Sequence, residues 1–291
     1  MLSWRALSEP DLPAVTELAR LCLSADGGQP FAADPAFLSG WYAAGAPTQS
    51  GWDGERLVCV SSLRQQPHDQ AGGRHVAITT GMVHPAWRRR GIGGHAFDWA
   101  AGAAGDRELR AETEALGDGA HALYLSKGLR QVFAEDVMQL PSSVRPPTAH
   151  APEGLILTPW GQADPARFYA VYTEAFRDRP GFPGWPGTRW IDWITDDEDF
   201  RPELALLATL ASADVGFVIG DAAGWIAQMG VVPAARGKNI GARLIGEAVR
   251  RMRSAGESTI TLNVNLNNPH AALLYRRVGF ALTGRRARYQ G

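Results

Sequence analysis

The sequence is poor in cysteine, has no long hydrophobic run and carries no excess of charge of one sign. Its two cysteines, Cys22 and Cys59, are too few to build a disulfide framework. No apolar stretch approaches the roughly 18 residues of a membrane span, and residues 1–5 lack the apolar core of a signal peptide. These absences favour a cytoplasmic protein that makes no contact with a membrane.

Charge and histidine exclude further classes of function. The 29 Lys and Arg residues nearly balance 30 Asp and Glu, so nothing indicates nucleic-acid binding. The seven histidines lack metal-ligand spacing, so we expect no metal site. Arginines cluster at 88–90 and at 285–288, and for 285–288 we expect a solvated face. With 291 residues, 45% of them hydrophobic, the chain has room for two domains of about 140 residues each.

One stretch combines the end of an apolar strand, a proline and a basic, glycine-containing loop that leads into an amphipathic helix. Helix starts carry unpaired backbone N–H groups and a partial positive charge, so they suit phosphate. The stretch therefore predicts a pyrophosphate site. Its candidate residues are Val231, Val232, Arg236, Gly237, Lys238, Asn239, Ile240, Gly241 and Ala242.

The same pattern occurs once more, earlier in the chain. Pro85 and Pro233 are 148 residues apart (233 minus 85), and the helices that follow keep this offset. A repeat of this length predicts a duplicated domain. We expect domains at 1–140 and 155–291, joined by a Pro-rich linker at 141–154. The candidate residues of the first copy are Val83, Arg88, Arg89, Arg90, Gly91, Ile92, Gly93 and Gly94.

The R-x-x-G-x-G pattern after a V-x-P strand end resembles the coenzyme A loop of the GCN5-related N-acetyltransferases, the GNAT superfamily. The resemblance implies an α/β (α+β) fold with two tandem domains, each a mixed, mostly antiparallel sheet flanked by helices. It also implies acetyl-CoA as the cofactor, held by the loop amides, and strands that splay apart beside the loop. The tandem layout is similar to the mycothiol synthase-like branch. Asn239 stands where the family usually has Gly, and Asn tolerates positive φ.

A second motif follows the second copy. Residues 268–280 resemble the family's N-x-x-A-x-x-L-Y-x-x-x-G-F helix, which implies that Tyr275 is the general acid for the leaving thiolate and that Asn268 helps to bind the cofactor. The alternative is a tyrosine that only packs at its helix. Tyr124 is the counterpart in the first half, where Gly117 and Leu129 depart from the pattern. We therefore expect catalysis in the second half.

The general base and the acceptor wall are less well defined. In the mycothiol synthase-like branch a Glu lies about eight residues before the proline, whereas residues 77–78 and 225–228 contain no carboxylate. A water chain, or a loop acid such as Glu174, Asp178 or Asp192, would have to substitute. The aromatic segment 182–193 is either a packed surface loop or a substrate wall.

Two functions from different classes remain. The first is an acetyl-CoA-dependent N-acetyltransferase that transfers an acetyl group to a primary amine of a small molecule, with a mycothiol synthase-like, antibiotic or amino-sugar acceptor. The second is a catalytically silent acyl-CoA-binding or regulatory protein. In either case the expected partners are small molecules, neither nucleic acid nor membrane is involved, and the chain is a monomer or homodimer.

Overall fold

The computed structural model of the protein describes residues 1–42, 45–66, 75–147, 150–179 and 182–291. The chain divides into two units. The first unit comprises Met1–Val137 together with Thr283–Gly291, and the second comprises Met138–Leu282. Within the described ranges, no helix is both long and apolar enough to cross a membrane.

The first unit is a mixed sheet with helices on both faces. Its strands follow the order β1-β2-β3-β4-β5-β12-β6, and β4 and β5 form its parallel pair. The pairs β1–β2, β2–β3, β3–β4 and β5–β12 are antiparallel. The elements are β1 (Ser3–Arg5), α1 (Leu12–Asp26), α2 (Pro35–Tyr42), β2 (Thr48–Asp53), β3 (Arg56–Gln66), β4 (Val76–Val83), α3 (Ile92–Ala104), β5 (Glu108–Thr113), α4 (Asp118–Ser126), β6 (Arg130–Pro141) and β12 (Ala281–Gln290).

The helices of the first unit cover different faces because their apolar residues recur at helical spacing. Val15, Leu18 and Cys22 of α1 pack with α2 and with Val60 of β3. On the other face, α3 packs through Ile92 and its alanines against β3 and β4. The gap between β4 and β5 therefore has α1 and α2 on one face of the sheet and α3 on the other.

The second unit repeats this plan. Its strands follow the order β6-β11-β10-β9-β8-β7, where β10 and β11 are parallel and the pairs from β10 to β7 are antiparallel. The predicted fold class, a mixed α/β arrangement in tandem, is confirmed. The elements are β7 (Ile156–Pro159), α5 (Pro165–Phe176), α6 (Gly187–Thr195), β8 (Phe200–Leu210), β9 (Ala213–Asp221), β10 (Trp225–Val231), α7 (Ile240–Ser254), β11 (Thr259–Asn265) and α8 (Pro269–Val278).

The unit boundaries differ from those that the repeat predicts. β12 begins in the second unit, but from Thr283 onward it belongs to the first, where it pairs antiparallel with β5. Conversely, the second unit starts inside β6, so the Pro-rich segment 141–154 lies within it; residues 148–149 of that segment are outside the described residues. The physical reason is strand pairing, which no periodicity along the chain reveals.

Two local expectations were wrong. The arginines of 285–288 do not form a solvated face, because each pairs with a carboxylate: Arg285 with Asp136, Arg286 with Glu135 and Arg288 with Glu112. The aromatic segment is not all loop, because α6 begins at Gly187 within it. Residues 43–44, and residues 180–181 just before this segment, lie outside the described residues.

Candidate functional site

The two predicted loops share an unusual backbone. In the first loop (residues 84–91) Arg89 and Gly91 have φ of 63° and 79°; in the second loop (residues 232–239) Gly237 and Asn239 have φ of 78° and 59°. These positions are related by the same 148-residue offset (237 minus 89, 239 minus 91). Asn239 therefore adopts the left-handed conformation that its position requires. α3 and α7 start directly after these residues, and neither start has a side-chain cap, so first-turn N–H groups point outward.

The first arginine of each loop, Arg88 or Arg236, is hydrogen-bonded to the strand that precedes the loop. Nε of Arg88 and of Arg236 donates to the carbonyl of Val83 and of Val231, each at 3.1 Å. The Arg88 guanidinium also makes a bidentate pair with Asp26, with both distances 2.7 Å. Because these guanidinium groups are already hydrogen-bonded within the protein, the backbone amides of the loops are the donors that remain for an anion.

The remaining cations of the loops lie at the surface. Arg89 and Lys238 are exposed, whereas Arg90 lies over the Trp87 ring at 4.9 Å. Arg243 approaches Glu247 at 3.4 Å. The hydrogen bond from Arg250, together with the one from Arg251, lowers the pKa of Glu247 to about 2. This carboxylate therefore stays charged and offsets part of the positive charge near the start of α7.

In each unit, the parallel strands separate beside the loop. The last pair of β4 and β5 is Thr79 with Ala111, although β4 continues to Val83. The last pair of β10 and β11 is Ile226 with Leu262, although β10 continues to Val231. Unpaired strand edges next to a helix start give each unit a wedge that an extended ligand could enter.

The wedge of the second unit has two distinctive features. β10 carries a bulge between Ile226 and Gln228, at the point where it leaves β11, and such bulges often lie next to active sites. Asn263, the first residue of β11 beyond the last pair, has a buried Oδ1 that finds no hydrogen-bond partner in the part of the chain that the structure describes. A buried acceptor of this kind costs about 1–3 kcal/mol unless a ligand satisfies it. The wedge therefore contains one buried hydrogen-bond acceptor, Asn263 Oδ1, that the described residues leave unsatisfied.

The wedge of the first unit opens into a cavity of about 450 Å³. The lining includes Gly81, Val83, Arg89, Ile92 and Gly93 from the strand and loop, along with Tyr124. The volume falls in the range of small-molecule and cofactor pockets. The predicted cofactor residues Val83, Arg88, Arg89, Ile92 and Gly93 thus lie around one space.

Tyr124 is buried at the edge of this cavity. Its ring lies 4.8 Å from that of Tyr289 and 6.1 Å from that of Phe97. Burial, and to a lesser degree Tyr289, raises the pKa of Tyr124 to about 12. A phenol with so high a pKa is a poor proton donor near neutral pH.

In the second unit α8 lies against the start of α7. A Cβ at Gly241 would come 3.0 Å from the Leu274 side chain, so this glycine permits the approach of α8. Asn268 caps α8 by accepting from the Ala271 N–H at 3.2 Å. Tyr275 is buried, with its ring 6.1 Å from that of Phe280. The predicted tyrosine and the second loop are therefore carried by neighbouring helices.

The aromatic segment 182–193 of the second unit contributes to the hydrophobic core more than to the wall of a substrate pocket. Trp190 is fully buried, stacks on Tyr172 at 4.8 Å, and donates from Nε1 to Oε1 of Gln228 at 3.1 Å. Trp185 and Trp193 contact each other edge to face, 6.0 Å apart. Trp190 thus fills space beside β10, which favours the packing interpretation for this residue.

The sequence-derived candidates for a base are all at the surface. Glu174, Asp178 and Asp192 are exposed. Among the described residues, no cluster of His, Cys, Asp and Glu could hold a metal ion. Reasoning from the sequence missed Asn263 and Asp26. The unsatisfied oxygen of Asn263 has no signature in the sequence.

Comparisons with known proteins agree with this geometry. The sequence model of the Acetyltransferase (GNAT) family matches residues 12–129 and 158–280. A mycothiol acetyltransferase of Nocardia farcinica is 30% identical over 282 residues, which covers 92% of this chain and 90% of the relative. A GCN5-related N-acetyltransferase structure from Sphaerobacter thermophilus superposes with a TM-score of 0.75 at 24% identity, covering 100% of this chain and 95% of that one. A tandem GNAT protein from the clavulanic acid biosynthesis pathway gives a TM-score of 0.61 at 18% identity and covers 100% and 98%. At these identities, the two structures support the fold alone.

Proposed function

The chain belongs to the Acetyltransferase (GNAT) family, and on that premise we propose that it transfers the acetyl group of acetyl-CoA to a primary amine of a small molecule. The observation that carries the proposal is the wedge beside an uncapped helix start, present once in each unit. Acetyl transfer itself follows from the family. The acceptor, the acid and the division of labour between the units are proposals.

The loops fit a pyrophosphate group. In the second unit the amides of residues 236–242, and in the first those of residues 88–94, lie at or just before a helix start, where the helix dipole favours an anion. The exposed side chains of Arg89 and Lys238 add positive charge. Val83, Val231 and Val232 lie on the strand side of the wedges, where they would contact the pantetheine arm.

In the second unit, Tyr275 would hold the proton that the leaving sulfur requires. Acetyl-CoA supplies the activated acyl group as a thioester when bound. The hydroxyl of Tyr275 would donate to the departing thiolate, which contributes roughly 10²–10⁴-fold in reactions of this kind. The bulge in β10 and the unpaired Asn263 Oδ1 support placing the chemistry here. Because β10 carries no carboxylate, the ammonium proton would leave through water toward an exposed acid.

The acceptor is narrowed by one observation. The relative from Nocardia farcinica is named mycothiol acetyltransferase. We therefore propose a small-molecule amine of the kind that a mycothiol acetyltransferase acetylates as the first acceptor to test, with amino sugars and antibiotics as the next classes. The lack of a carboxylate on β10 favours an acceptor other than that of the relative.

A thiol-release assay with the purified chain tests the function. Acetyl-CoA is incubated with amino sugars, polyamines, aminoglycosides and peptide N-termini, and the acetylated product is identified by mass spectrometry. Amine-dependent thiol release that matches acetylated product supports the transferase. Acetyl-CoA binding without release for any amine would favour the alternative, a catalytically silent acyl-CoA-binding protein.

A further inference from the structure

The cavity of the first unit passes through the gap between β4 and β5. Near the loop it is lined by Ile92, Ala96 and Phe97 of α3. Its other end lies on the opposite face of the sheet, among residues of the cluster that α1 and α2 form with β3. We call this end the inner chamber. Its residues are Ala19, Leu38, Trp41, Tyr42, Val60 and Met82.

Among the described residues, no charged side chain lines the inner chamber, although the Arg64 guanidinium lies 3.8 Å from the centre of the Trp41 ring. Three carboxylates elsewhere along the cavity are paired, Asp26 with Arg88, Glu112 with Arg288, and Glu114 with Arg286 and Arg288, whereas Asp118 lies exposed at its rim. Burial raises the pKa of the cavity thiols Cys22 and Cys59 to about 11 and about 12, so both stay neutral. An ammonium group would enter without a counter-charge, which is costly, whereas an alkyl chain would gain from burial.

The corresponding space in the second unit is occupied by the protein itself. Gln228 stands 148 residues after Thr80, which lines the first cavity (228 minus 80). Trp190 donates to Gln228 and stacks on Tyr172, and its side chain is fully buried. The residue 148 positions before Trp190 is Tyr42, which lines the inner chamber beside Thr80, so the second unit has a larger indole where the first unit has a phenol.

We propose that the first unit binds an acyl-CoA whose acyl group is an aliphatic chain longer than acetyl, with the chain in the inner chamber. The inference rests on the proposed function in one respect, since it takes the first loop as the pyrophosphate site. The second unit, filled by Trp190, is restricted to short acyl groups.

Calorimetric titration of the full chain with acetyl-, butyryl- and hexanoyl-CoA tests the proposal. At the first-unit site, affinity should rise about fourfold for each methylene that the chamber buries, so butyryl-CoA, with two more methylenes, should bind roughly fifteenfold tighter than acetyl-CoA. The second site should show no such gain. Affinity that is flat or falls with chain length at both sites would overturn the inference while leaving the proposed function intact. If none of the esters binds, both fail.

A filled-chamber variant assigns the gain to the first unit. Ala19→Leu adds volume inside the chamber and should abolish the preference for longer chains while acetyl-CoA still binds. Ser24→Leu, at an exposed position of the same helix, is the matched control and should keep the preference. A chain-length preference that persists in folded Ala19→Leu would contradict the placement. If that variant does not fold, the chain-length series on the unmodified protein still decides.

Discussion

At the scale of single residues, the two loops show how different side chains satisfy one backbone requirement. The first loop places Arg then Gly at its two positive-φ positions, and the second places Gly then Asn. Asn is one of the few residues that adopt this region at low cost. The exchange explains how the second loop keeps its turn without the glycine that the family usually has there.

Asn239→Val should damage the second loop, because a β-branched residue at φ 59° costs about 1–2 kcal/mol or more. We expect roughly tenfold weaker acetyl-CoA binding at the second site, measured by calorimetry. Asn239→Gly is the matched control and should bind at least as well as the unmodified chain. Equal affinity of the Val and Gly variants would show that the turn does not govern binding.

Asn263→Leu removes the buried, unpartnered acceptor at the wedge of the second unit. If a ligand N–H normally satisfies this oxygen, KM should rise about tenfold, whereas Tm of the ligand-free protein should rise, because the substitution removes an acceptor that costs about 1–3 kcal/mol and breaks no internal hydrogen bond. Steady-state kinetics and thermal unfolding check both. Asn267→Leu, at an exposed position nearby, serves as the control. A lower Tm with unchanged KM would instead assign Asn263 a purely structural role.

Asp221 should make the protein less stable as pH rises. Burial raises its pKa to about 6, although its Oδ1 accepts from the N–H groups of Ala223 and Trp225. In the unfolded chain the pKa of this carboxyl has its usual value of about 3.9. Between about pH 4 and 6 the folded state therefore binds more protons than the unfolded state, and the free energy of unfolding falls as the pH rises. Asp221→Asn should remove this fall and add on the order of 1–3 kcal/mol at pH 7. Denaturant unfolding from pH 4 to 7 measures it, and parallel curves for both proteins would refute it.

At the scale of elements, β12 is held in the first unit by a row of partly buried ion pairs. Arg286 and Arg288 share Glu114, while Arg285 pairs with Asp136 at 2.7 Å. Removing one arginine leaves a half-buried carboxylate with less compensation, which costs more than loss of an exposed pair. The row therefore contributes to the stability of the strand as well as to its register.

Arg288→Gln should lower the free energy of unfolding by roughly 1–3 kcal/mol, because Glu112 and Glu114 both lose a partner. The control is Arg20→Gln, where an exposed pair with Glu17 spans 4.0 Å and should contribute less than about 0.5 kcal/mol. Denaturant unfolding of the full chain compares them. Equal losses in the two variants would mean that β12 is held by backbone pairing alone.

Elements with a local signal could be predicted from the sequence, and elements defined by distant partners could not. Apolar residues alternate along β11 (Thr259–Asn265) and recur at helical spacing along α5 (Pro165–Phe176), so each of these elements has a signal in its own sequence. α6 was missed because Gly and Pro around its start resemble loop chemistry. β12 was missed because its polar, Arg-rich sequence becomes a strand only beside β5. Likewise, the two loops could be predicted from their sequence motifs. The cavity and the unsatisfied Asn263 oxygen could not, because they depend on where β4 separates from β5 and β10 from β11.

At the scale of the whole molecule, the two units share the same loop but differ in the side chains that pack beside it. Both units retain the wedge and the uncapped helix start. The first unit has a cavity with an apolar inner chamber, whereas the second has Trp190 beside β10 and a bulge at its wedge. This divergence supports a division of labour in which the first unit holds an acyl-CoA and the second transfers acetyl.

The central claim, that the second unit performs the chemistry, is tested most directly by comparing kcat for Tyr275→Phe and Tyr124→Phe with the same amine. Each substitution removes only a phenolic O–H from a buried ring. The account predicts that Tyr275→Phe lowers kcat by roughly 10²–10⁴-fold and that Tyr124→Phe has little effect. A large loss from Tyr124→Phe with none from Tyr275→Phe would place the active site in the first unit and contradict the account.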